Sequence, residues 1–102
     1  MGDVEALWLA CGVLPGFRPG ERRVVIRTVG REEPLRLEVD ARLVRTEEPL
    51  RNGTPVAGKL RVLLFAWDVH TVTVLLPAPG QTAAGLVEVS RSLVAQPDEH
   101  AR

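Results

Sequence analysis

The stretch Leu35-Arg36-Leu37-Glu38-Val39-Asp40-Ala41-Arg42-Leu43 alternates without a break, apolar at odd positions and charged at even ones. A period of two puts every apolar side chain on one side of an extended chain. A helix would scatter both kinds around its circumference. The segment therefore predicts a β-strand over 35–45 with one dry and one wet face.

Four more runs read the same way: 22–29, 59–67, 71–76 and 86–95. They are rich in Val, Leu and Thr and are bounded by Gly, Pro, Asn or Asp. Asn52-Gly53 marks a turn in the loop before 59–67, since both residues tolerate positive φ. A continuous strand over 59–76 would put Asp68 and His70 on the apolar face of Leu60, Val62, Leu64 and Ala66. A turn near Asp68-Val69-His70, making a hairpin, avoids that cost.

Residues 3–13 fit two descriptions. Asp3 suits the cap of a short N-terminal helix. Val4, Ala6, Trp8 and Ala10 also line up on one face of a strand, and a strand or a short irregular segment is the preferred reading. The fold class expected is all-β: a small antiparallel β-sandwich or barrel of about six strands. A single domain over 1–102 is expected, with 1–20 as an N-terminal segment and loop and 96–102 as a fraying tail. No internal repeat is apparent.

Thirteen basic and thirteen acidic residues cancel, so no net field draws in nucleic acid or an anionic membrane. Twelve of the thirteen basic residues are Arg, the pattern of a GC-rich genome. Cys11 stands alone in an apolar run and reads as a buried, inert thiol. No signal peptide or membrane-spanning stretch is recognised, so an intracellular or virion-associated protein is expected.

The candidate chemistries are few. Asp68 and His70 are the acid–imidazole pair closest in sequence, and such a pair can serve as an oriented general base. Its nucleophile would have to come from Cys11, Ser90, Ser92 or a threonine, none of them in a nucleophile-elbow pattern. Two histidines and one cysteine do not supply a structural zinc site. No cofactor and no enzymatic activity are expected. Arg22, Arg23 and Arg27, near Phe17, are the candidate contacts for a nucleic-acid-binding barrel.

The strongest signal is that 60–67 is apolar on both faces. Leu60, Val62, Leu64 and Ala66 make one face, and Leu63, Phe65 and Trp67 the other, with Arg61 at its rim. One small core cannot hide both faces unless residues 3–14 form a lid. The expected function is therefore a non-catalytic interaction or assembly module. Its partners would be copies of itself or other protein subunits meeting Arg61, Leu63, Phe65 and Trp67.

Overall fold

The computed structural model describes residues 5–77 and 85–95. Among these residues, eight antiparallel strands form one sheet: β1 (Ala6–Pro15), β2 (Glu21–Ile26), β3 (Leu35–Asp40), β4 (Val44–Thr46), β5 (Val56–Trp67), β6 (Thr71–Leu75), β7 (Leu86–Ser90) and β8 (Val94–Ala95). The order is β3-β2-β1-β5-β6-β7, with β4 beside β5 and β8 beside β1. The sheet curls into a half-barrel. Its concave side holds an aliphatic core that includes Leu7, Leu9, Val24, Ile26, Leu60, Val62, Val74 and Val89.

The all-β antiparallel class agrees with the sequence, and three details differ. Residues 6–15 form a strand, the reading preferred over a short helix, and the difference lies in its place at the sheet's centre. It pairs edge to edge with β5 from Ala6↔Leu63 to Val13↔Val56, so it does not lie over β5 as a lid. The strand count is eight rather than six, because 35–45 and 86–95 are each broken by a 3-10 turn, Ala41–Leu43 and Arg91–Leu93. The tail 96–102 lies outside the described residues.

The third difference is an internal repeat. The segments 37–45 and 87–95 share Glu38/Glu88, Val39/Val89, Leu43/Leu93 and Val44/Val94 in register. Each begins on a strand and enters a 3-10 turn through a capping side chain. Asp40 accepts a bond from the Arg42 amide, and Ser90 from the Ser92 amide. Each then leaves as a short strand on the far side of the central pair. The Ala41 N–H donates to the Gly20 carbonyl at 2.8 Å, and the Arg91 N–H donates to the His70 carbonyl at 2.9 Å. Leu9 pairs with Leu60, Val94 with Leu9, and Val44 with Leu60. That row, Val94–Leu9–Leu60–Val44, reads the same from either end, so a pseudo-two-fold axis passes through the Leu9–Leu60 pair.

One repeat comprises β1 to β4 and the other β5 to β8. Each sends its last short strand to pair with the other's first. The crossing is tight at Gly58. A Cβ there would stand 2.6 Å from Val13 Cγ2 and 2.7 Å from the Arg45 carbonyl oxygen, closer than any side chain allows.

Candidate functional site

The repeats differ most on the convex face of the sheet. In the first, the cross-strand row is Gly12, Val25 and Arg36, continued across β5 by Ala57. In the second, the equivalent row is Leu63, Leu75 and Leu86, continued across β1 by Ala6. Directly opposed residues point to the same side of a sheet, so these four make one apolar strip. Leu75 is 37% exposed.

Phe65 adjoins that strip through a β-bulge. The pairing of β5 with β6 runs Leu63↔Leu75, Leu64↔Val74, then jumps to Ala66↔Thr73 and Trp67↔Val72. Phe65 is the extra residue, and it stands 66% exposed. The first repeat has no such shift in its β1–β2 pairing. A bulge re-aims the side chains that follow it.

The sequence puts Leu63, Phe65 and Trp67 on one face, and the bulge changes this. Trp67 now opposes Val72, which is fully buried, so it turns toward the concave side. The Arg91 guanidinium stacks over its ring at 4.7 Å. Leu63 and Arg61 stay on the convex side. The missed members of the strip are Leu75 and Leu86. Each alternates with residues of the opposite face, but cross-strand register is needed to align them with Leu63.

The hairpin turn expected at Asp68-Val69-His70 is present, closed by the Asp68 N–H donating to the Thr71 carbonyl. Asp68 and His70 are both exposed at its tip. The Asp68 carboxylate accepts from the Val69 amide at 2.6 Å, and no hydrogen bond joins it to His70 among the described residues. Cys11 is half-buried, and loss of solvent pushes its thiol up to about 12. It is therefore uncharged and weakly nucleophilic at neutral pH. It lines an open depression of about 300 Å³ with Ala10, Gly12, Val25, Arg27 and Leu93. No three potential metal ligands converge among the described residues. No helix there is long and apolar enough to cross a membrane.

The arginines Arg22, Arg23 and Arg27 do not form a track. Strand alternation sends Arg22 and Arg23 to opposite faces. Arg22 donates to the Glu21 carbonyl, and Arg23 donates to the Pro15 carbonyl at 2.9 Å while lying 4.5 Å above the Phe17 ring. Arg27 sits apart, past the end of β2, at the depression beside Cys11. Arg23 opposes Glu38 in register but is drawn away from it. A side-chain hydrogen bond with Glu21, in which the protonated Glu38 carboxyl donates, then raises the Glu38 pKa. In the second repeat the same two positions hold Thr71 and Glu88, joined by a neutral-to-charged bond of 2.8 Å.

A second group of cations occupies the centre of the convex face. Arg45 opposes Lys59, and Arg61 opposes Trp8. The Arg45 guanidinium reaches across β5 to lie 4.6 Å above the Trp8 ring. The one salt bridge among the described residues is Arg42–Asp40, elsewhere, so these three cations have no acidic partner there.

Comparison with protein-family models, curated proteins and solved structures finds no match.

Proposed function

We propose that this chain is a non-catalytic assembly module that docks onto copies of itself or onto another protein subunit through the convex face of its second repeat. The observation that carries this reading is the strip Ala6, Leu63, Leu75 and Leu86 with Phe65 standing out beside it. A surface sheet position facing water ordinarily carries polar side chains. In the first repeat the same positions hold Ala57, Gly12, Val25 and Arg36, so three adjacent leucines are not a demand of the fold. At about 25 cal/mol per Å² of apolar area removed from water, covering Leu63, Phe65 and Leu75 contributes several kcal/mol before the cost of association.

The test is the solution mass of the chain. Light scattering is expected to give a multiple of the monomer mass, or a complex with a co-purifying subunit. Leu75→Glu combined with Phe65→Ser is expected to return it to the monomer mass with an unchanged circular dichroism spectrum. A wild-type chain that is monomeric at every concentration, with no bound subunit, overturns the reading.

A further inference from the structure

We propose that the centre of the convex face binds single-stranded nucleic acid, with Lys59 and Arg61 meeting phosphates and the Arg45–Trp8 stack serving as the platform for a base. The site is distinct from the apolar strip and from the Arg22, Arg23 and Arg27 cluster.

Four observations lead to it. First, Arg45 and Lys59 are directly opposed across β4 and β5, an arrangement of like charges that weakens a sheet. Arg61 adds a third cation two residues along the same strand and on the same face. Second, none of the three has an acidic partner among the described residues, although the chain as a whole is neutral. Their mutual repulsion is left for a ligand to relieve. Third, Trp8 opposes Arg61 and is covered by the Arg45 guanidinium at 4.6 Å. A guanidinium lying flat on an indole offers its outer plane to a further flat group.

Fourth, the pseudo-two-fold axis shows that this chemistry is not imposed by the fold. The positions equivalent to Lys59, Arg61 and Arg45 are Trp8, Ala10 and Ala95. The first repeat thus supplies Trp8, Ala10 and Arg45, while the second supplies Lys59, Arg61 and Ala95. Brought together at the axis, they combine positive charge with a stacking surface, the two elements that single-strand binders use. An acidic polypeptide would satisfy the cations but has no use for the flat stack. An open sheet face also suits unpaired bases, which can lie flat on it, better than a closed duplex.

The experiment titrates the full chain into a fluorescently labelled single-stranded DNA oligonucleotide and follows anisotropy at several salt concentrations. Two single-strand phosphate contacts predict a log–log salt slope of about −1.4, or about sevenfold weaker binding at 200 mM than at 50 mM salt. Lys59→Gln with Arg61→Gln is expected to remove most of that slope. Trp8→Leu is expected to lower affinity by about tenfold. Because Trp8 is half-buried, the two exposed substitutions on β5 provide the test that does not depend on its packing. Arg22→Gln is expected to change nothing. Absence of binding at 50 mM salt overturns the proposal, as does binding that the β5 double variant leaves intact. Equal competition by polyglutamate at matched charge also overturns it, in favour of an acidic protein partner.

Discussion

The two repeats share a backbone plan and a core but not a surface. Val24 and Val74 are both fully buried, as are Leu9 and Leu60, and Asp40 and Ser90 both cap a 3-10 turn. Outside, Gly12, Val25 and Arg36 in the first repeat stand where Leu63, Leu75 and Leu86 stand in the second. The second repeat alone carries the bulge that pushes Phe65 into solvent. Core positions are constrained alike because both sides must fill one shared interior at close packing. Convex positions carry no such constraint, so differences between them report on what the surface contacts. The comparison separates residues kept for folding from residues kept for something else.

The largest effect is expected at the axis. Leu9→Ala and Leu60→Ala each remove a fully buried side chain and are expected to cost about 2–5 kcal/mol in urea unfolding. Their costs should be similar, and the double variant non-additive, because the two residues touch across the pair. Widely unequal costs would show that the interior is not shared evenly between the halves.

A smaller but sharper contrast lies on the surface. Leu75→Glu is expected to reduce the assembled mass, whereas Val25→Glu, its counterpart, should leave that mass unchanged. If both act alike, the apolar strip of the second repeat has no special place in assembly.

The smallest effect is a pH dependence confined to the first repeat. A carboxyl group whose folded pKa is raised contributes stability below its unfolded value, near 4.3, and loses it as pH rises through the folded value. Glu38 is of this kind, because of its hydrogen bond with Glu21. The wild type should therefore lose a little stability as pH rises from 4 toward 7, and Glu38→Gln should remove that loss. Asp40 works in the opposite sense. Hydrogen bonds from Arg42 hold its pKa down at about 2, so its contribution is present above the unfolded value and disappears as pH falls toward 2. Stability measured from pH 2 to pH 7 in Glu38→Gln and Asp40→Asn separates the two.

Local pattern carried much of the architecture. The alternation of 35–43 survives in the burial of Leu37 and Val39 against exposed Arg36 and Asp40. The glycines at 20, 30 and 53 adopt positive φ in turns, as such residues readily do. Alternation alone did not reveal that the strand breaks at Ala41. Its period persists through a 3-10 turn that depends on the Asp40 cap and on the Gly20 carbonyl from another part of the chain. The repeat was hidden for a similar reason. Its sequence likeness is confined to nine residues, and the loops and the bulge between equivalent strands differ in length.

The candidate sites were legible only in part. Arg61, Leu63 and Phe65 stand out from the double-sided apolarity of 60–67. Trp67 left that face because one unpaired residue shifts every later side chain to the other side. Leu75, Leu86, Trp8, Arg45 and Lys59 gave no signal on their own.

What the amino-acid order determined by itself was which segments extend and which face of each seeks the interior, because both follow from a period of two between neighbours along the chain. What the tertiary structure alone decided was which strands lie side by side and in what register. Those pairings join residues as distant in the chain as Trp8 and Ala95, and they also bring Leu9 to Leu60 and Arg45's guanidinium to Trp8. No local pattern encodes them, since they result from one buried core being closed by both halves of the chain at once.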